Sequence, residues 1–159
     1  MYHCLPESCK MVQALAPAAD AAGRTGAYVS LKNVKQACVV VNITQGNAAT
    51  IQLDVKQASA IAGTGVKALA NTVPIWANED TSTNDTLARQ TDAVNYTTGA
   101  AVKNKMVVFH IDPAVLDTNN GFDCITVVTG ASNAGNITSA VYFLDMKFAG
   151  AVPNSVVVD

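Results

Sequence analysis

Where apolar positions recur regularly in this chain they do so at period two, the spacing of a strand with one face buried. The longest such stretch runs from Phe122 to Phe148. Its first arm, Phe122 to Thr129, and its second, Ile137 to Phe148, are rich in Val, Ile, Thr, Tyr and Phe, which suit a pleated surface. Between them lie small turn formers, Gly130 to Asn136. The pattern predicts a β-hairpin. Tyr142, Leu144, Met146 and Phe148 share one face of the second arm. Val141 and Phe143 begin the other face and Asp145 and Lys147 end it, so that arm is expected to be covered on both sides at its start and half exposed at its end.

A second hairpin is predicted from Ala37 to Val55, with its tip at Gln45 to Ala48. Ile51, Leu53 and Val55 point inward while Thr50, Gln52 and Asp54 point outward. Its tip dipeptide, Gly46-Asn47, resembles Gly135-Asn136 of the first hairpin. The two hairpins are therefore expected to be comparable and to lie in facing sheets. Further strands are expected at Ala27 to Leu31, at Val73 to Ala77 with Pro74 at an edge, and at Lys105 to Ile111, stopped by Asp112-Pro113. Thr86 to Arg89 and Ala93 to Thr97 are weaker strands.

Eight or nine strands with closely spaced turns and no long helical period predict an all-β chain. The expected architecture is a single antiparallel β-sandwich, jelly-roll-like, with extended N- and C-terminal arms. The arms are residues 1–23 and 151–159, the sandwich residues 24–150. The expected core includes Val40, Ile51, Leu53, Val108, Ile125, Val127, Tyr142 and Leu144.

The N-terminal arm holds too few apolar residues to fold alone, and Pro17 limits any helical turn near Met11. It is expected to become ordered against a neighbour, with Leu5, Met11, Val12 and Leu15 as anchors. At the other end Val156, Val157 and Val158 can add to an exposed sheet edge through backbone hydrogen bonds. Trp76, the single tryptophan, reads either as a core anchor under the polar loop that follows it or as an interface or carbohydrate platform. These eight residues are the interface candidates.

Composition sharpens this picture. Only 14% of the 159 residues are charged, against about a quarter in ordinary domains. A surface this poor in charge suits a protein occupied by neighbours in an assembly. The net charge is −2 and the ten basic residues form no stripe, which argues against nucleic-acid binding. No apolar run reaches the roughly 18–20 residues of a membrane span. The N-terminus lacks a signal-peptide pattern, so reduced thiols are expected.

Candidate chemistry is sparse. Cys38 and Cys124 fall in strands, where a thiol acts as a small hydrophobe; Cys4 and Cys9 have no second Cys or His pair to complete a zinc site. His110 lies in a strand, next to Ile111-Asp112-Pro113, and reads as a structural histidine because no nucleophile motif accompanies it, and His3 lies in the arm. The oxygen-rich loop Asn78 to Asp85 lacks EF-hand spacing. There is no nucleophile elbow, HExxH or P-loop. The expectation is a protein that is not an enzyme and carries no metal or cofactor.

Several segments carry a family resemblance: Asp20 to Asn33, Gln45 to Thr50, Val73 to Asn78, Val108 to Pro113 and Gly121 to Ile125. Between about Asp20 and Phe148 the chain resembles small virion proteins of tailed bacteriophages and prophages, in particular capsid decoration, or cement, proteins. Met1 to Lys10 is not part of the resemblance. The resemblance implies a jelly roll on the outer surface of the capsid, assembled in the host cytoplasm. It also implies the major capsid protein and further copies of the chain, as a dimer or trimer, for partners. A head–tail adaptor, a tail structural protein and a carbohydrate-binding β-sandwich are the alternatives.

Overall fold

The computed structural model describes residues 5–148 and 155–158. Among these, β-branched and aromatic segments form twelve strands. They are β1 (Cys9–Ala19), β2 (Arg24–Thr25), β3 (Val29–Ser30), β4 (Val34–Gln45), β5 (Gln52–Ala58), β6 (Lys67–Ala68), β7 (Ile75–Asn78), β8 (Ala88–Arg89), β9 (Asn95–Thr97), β10 (Asn104–Ile111), β11 (Cys124–Thr129) and β12 (Asn136–Met146). Helix is confined to single turns at Leu5–Ser8, Pro113–Val115 and Thr118–Asn120.

The strands form two antiparallel sheets. The first has the order β1-β12-β4-β10-β7-β8. The second has the order β2-β11-β5-β6, with β3 also on β11 and β9 also on β5. With β2 and β3 read as one broken strand, and β6 and β9 as another, this is the strand order of a jelly roll with β7 and β8 added to one edge. The expected antiparallel β-sandwich is present.

The two expected hairpins are not hairpins. β11 pairs with β5, and β12 pairs with β4 and β1. Each segment is an arch that crosses from one sheet to the other, and the two arches pair with each other. Period two reports which side chains face inward, but it does not say which strand lies alongside. The tips also argue against tight hairpins: residues 46–51 and 130–135 separate the strands, longer than the favoured two-residue turns. They have sheets about 10 Å apart to span.

The likeness of the two tips has a physical basis, because they clasp. The Gly46 N–H donates to the Gly135 carbonyl at 3.1 Å. The Asn136 side chain accepts from the Asn47 N–H at 2.8 Å and donates to the Ala49 carbonyl at 2.8 Å. A Cβ at position 46 would stand 2.4 Å from the Gly135 carbonyl oxygen, and that neighbour is backbone. Gly46→Ala is therefore expected to cost about 1–3 kcal/mol in urea unfolding. Gly135→Ala should cost less, since its Cβ would meet nothing nearer than 3.4 Å.

Of the expected core, Ile51, Leu53, Ile125, Val127, Tyr142 and Leu144 are buried. Val40 and Val108 are not; they are half-buried on the outer face of the first sheet, opposite each other and, for Val40, opposite Val141. Their neighbours Val39, Val41, Val107 and Phe109 point inward. In strands apolar on both faces the phase of the alternation is hidden.

The expected N-terminal arm is also revised. Residues 9–19 form an edge strand on β12, with register shifts at Gln13/Leu15 and Leu15/Ala18. Ala14 and Leu15 enter the core. Few apolar residues suffice there because β12 supplies the ladder. In the expected tail, Val156 is buried in the core and its carbonyl accepts from the Ser30 N–H at 2.8 Å. His3 and Cys4, like most of the tail, lie outside the described residues.

Candidate interface on the outer sheet face

Outward positions of the first sheet line up across strands because directly opposite residues in antiparallel strands share a face. One row is Met11, Phe143, Cys38 and His110. The next is Gln13, Val141, Val40, Val108, Trp76 and Arg89. A third row adds Ser139, Asn42 and Met106. Met11 is 46% exposed, and the central valines, Phe143 and Trp76 are half-buried. The result is a half-buried apolar centre of Val40, Val108, Val141, Phe143 and Trp76, with no charged side chain within it and with Gln13, His110, Ser139 and Asn42 around it.

Trp76 is not the core anchor that one sequence reading allowed. It lies on this face beside Val108, and the Arg89 guanidinium stands 4.9 Å from its ring centre. Nearby, Cys38 Sγ is 3.6 Å from His110 Nδ1. A cysteine nucleophile requires a depressed pKa. Burial instead pushes the Cys38 thiol up. Burial also raises Cys9, with further contributions from Cys38 and Asp145.

The remaining interface candidates divide. Leu5, Met11, Val157 and Val158 are exposed, and Val12 is half-buried against the core. Leu15 and Val156 are 5% and 2% exposed, so their apolar surface is already used inside the chain. Sequence reasoning missed Val40, Val108, Val141 and Phe143 as surface. The available signal was the doubly apolar character of β4 and β12, which read as cover on both sides.

The polar clusters tie loops to the sandwich. Lys105 is a buried lysine whose Nζ reaches Glu79 Oε2 at 2.6 Å and the Gly99 carbonyl at 2.6 Å. Tyr96 donates to Glu79 Oε1 at 2.6 Å. Burial acts to raise the Glu79 carboxyl, but hydrogen bonds from Lys105, Tyr96 and the Gly99 N–H outweigh it and hold the pKa below its ordinary value. A carboxylate with a lowered folded pKa contributes stability above its ordinary value and loses it as pH falls through the folded value. Glu79→Gln is thus expected to flatten the loss of stability below about pH 4.5, measured by urea unfolding across an acid series.

In the oxygen-rich loop, the Asp80 carboxylate accepts from Thr83 at 2.8 Å, from the Ser82 N–H at 3.3 Å and from Lys103. Asn78 and Asn84 side chains accept from backbone N–H groups within the loop. These oxygens stabilise turns. Among the described residues no three His, Cys, Asp or Glu side chains group as a metal site, and no helix is long and apolar enough to cross a membrane.

No family model and no curated protein sequence matches the chain. Among solved structures, the SPBc2 prophage-derived protein YomS is similar at 10% identity and a TM-score of 0.49, over 86% of this chain and 92% of that one. A putative sugar binding protein from Bacteroides thetaiotaomicron is similar at 9% identity and a TM-score of 0.34, over 87% and 83% of the two chains. A CBM4 structure is similar at 8% identity and a TM-score of 0.31, over 80% of this chain and 59% of that one.

Proposed function

We propose that this chain is a structural virion protein of a tailed bacteriophage, a capsid decoration or cement protein. It binds the outer surface of the head and stabilises contacts between major capsid subunits. The observation that carries the reading is the apolar outer sheet face on a rigid jelly roll. Large exposed apolar patches mark interaction sites. The resemblance of Asp20 to Phe148 to small virion proteins supports the same role. A cement protein resists internal pressure by adding buried area across joints, which requires a stiff body and adhesive surfaces rather than an active site. Its partners are the major capsid protein and further copies of itself.

The test is copy number on mature heads. A count comparable to that of the major capsid protein, with heads lacking the protein losing heat resistance, is the expected result. A few copies per particle would instead identify an adaptor or tail part. Binding on a glycan array that Trp76→Ala abolishes would identify a carbohydrate-binding module. Arg89 over the Trp76 ring weighs against that outcome, because a stacked sugar needs a free ring face.

A further inference from the structure

We propose that the outer face of the first sheet is the seat of a second copy of this chain, packed sheet on sheet about a two-fold axis. The dimer rests on the assembly role proposed above and names a second copy as the occupant of the face that carries that reading.

Four observations point to a second copy. The first is shape. A twisted antiparallel sheet is matched by another sheet of the same twist, aligned within about 30° and about 10 Å away. The chain's own two sheets already pack against each other through one shared core.

The second is size. Five strands, β1, β12, β4, β10 and β7, at roughly 4.8 Å spacing and about eight residues at roughly 3.4 Å cover on the order of 650 Å² before side-chain relief. A standard interface takes about 800 Å² from each partner.

The third is charge. The centre of the face holds Val40, Val108, Val141, Phe143 and Trp76, so a two-fold copy brings no like charges together there. At its rim Lys35 faces Asp145 at 3.9 Å, and Arg89 faces Asp92, so both signs are available to both copies. Aromatic residues and Met are the types enriched at the cores of interfaces.

The fourth concerns the competing route. Copies of a sandwich can also join edge to edge. The edges are β1 and β8 in the first sheet and β2 with β3 and β6 with β9 in the second; all but β1 are only two or three residues long, and β1 carries Pro17 and two register shifts. Proline and bulges are the devices that block edge pairing. The face is left as the self-association surface.

The test uses the purified full chain in sedimentation equilibrium over the micromolar range. The wild type is expected to be a dimer. Val40→Lys places a charge at the centre of the face while leaving the inner face untouched, and should weaken the dimer by about a hundredfold or more with an unchanged circular dichroism spectrum. A second readout covers the case in which that variant does not fold. Alkylation of Cys38 in the wild type, read by peptide mass spectrometry, should speed up as the protein is diluted through its dissociation constant. A monomer throughout, a trimer, or a dimer indifferent to Val40→Lys with Cys38 equally reactive at all dilutions overturns the proposal. A monomer that still decorates heads removes the dimer and leaves the virion role; a dimer that binds no heads does the reverse.

Discussion

Asp20→Ala is expected to destabilise the protein by about 3–5 kcal/mol, the range for breaking a buried charged network by removing one partner. The Asp20 side chain is fully buried and accepts from Arg24 Nε at 2.9 Å, from Thr129 Oγ1 at 2.7 Å and from Thr138 Oγ1. Thr129 ends β11 in one sheet, and Thr138 lies on β12 in the other. Asp20 is therefore a tie between the sheets at the point where the chain leaves β1. Its backbone joins in: its N–H donates to the Asn136 carbonyl at 2.9 Å, and its carbonyl accepts from the Ser132 N–H at 2.8 Å. Alanine would leave two buried hydroxyls and a guanidinium without their shared acceptor, and such groups are costly when unpaired. Asp20→Asn keeps a carbonyl oxygen and should cost less. Urea unfolding at neutral pH, followed by circular dichroism, measures both. A loss well under 1 kcal/mol for the alanine variant would show that water takes over the role of the carboxylate.

Asp20 also marks where sequence reading stops. The segment Ala18 to Gly23 shows little to bury, and an isolated acid among alanines carries no pattern. Its importance comes from Thr129 and Thr138, more than a hundred residues away along the chain. The same holds for Lys105 with Glu79, and for Gln45, whose amide donates to the Gly99 carbonyl at 2.9 Å. Buried polar ties depend on which strands become neighbours, and period two does not encode that.

What period two does encode was legible. The inward set Ile51, Leu53 and Val55, just before and along β5, and the set Tyr142, Leu144 and Met146 on β12 are buried as their spacing predicts, while Phe148, the last of that set, lies beyond the end of β12 and is exposed. The tip likeness of Gly46-Asn47 and Gly135-Asn136 was visible too, though its meaning was a clasp between arches rather than two similar turns. The outer face was hidden for a different reason. A strand apolar on both sides looks like one sandwiched between layers. Here no layer of the described residues covers that face. Val141 and Phe143 carry the composition of buried residues at half-exposed positions, which is the condition expected of a surface that a partner covers.

Removing residues 1–8 and removing residues 1–22 are expected to have opposite outcomes. The shorter deletion takes away the turn Leu5–Ser8, which buries no residue, and should change stability by about 0.5 kcal/mol or less. The longer one removes β1 and should abolish cooperative folding. Three losses coincide. β12 loses the ladder that runs from Cys9 opposite Asp145 to Ala19 opposite Ile137. The core loses Ala14 and Leu15, and with them the Ala14 carbonyl that accepts from the Ala27 N–H at 2.9 Å. That contact holds the segment between β2 and β3, whose Ala27 carbonyl accepts from the buried Tyr142 hydroxyl at 2.9 Å. Finally Arg24 loses both Asp20 and the Ala16 carbonyl, to which it donates at 2.8 Å. The Asp20 network alone is worth about 3–5 kcal/mol and a buried leucine about 2–5. Domains of this kind are stable by only about 5–15 kcal/mol in total. A thermal melt with near-ultraviolet circular dichroism distinguishes the two outcomes. A sharp transition in the 1–22 deletion, within a few degrees of wild type, would show that β1 is a dispensable edge. Loss of the transition would mean that any failure of this variant to bind heads reports on folding and not on the proposed adhesion. The adhesive role proposed for the face to which this strand contributes is then tested by a side chain that points outward, and Met11→Lys, on the exposed face of β1, is the substitution that does so.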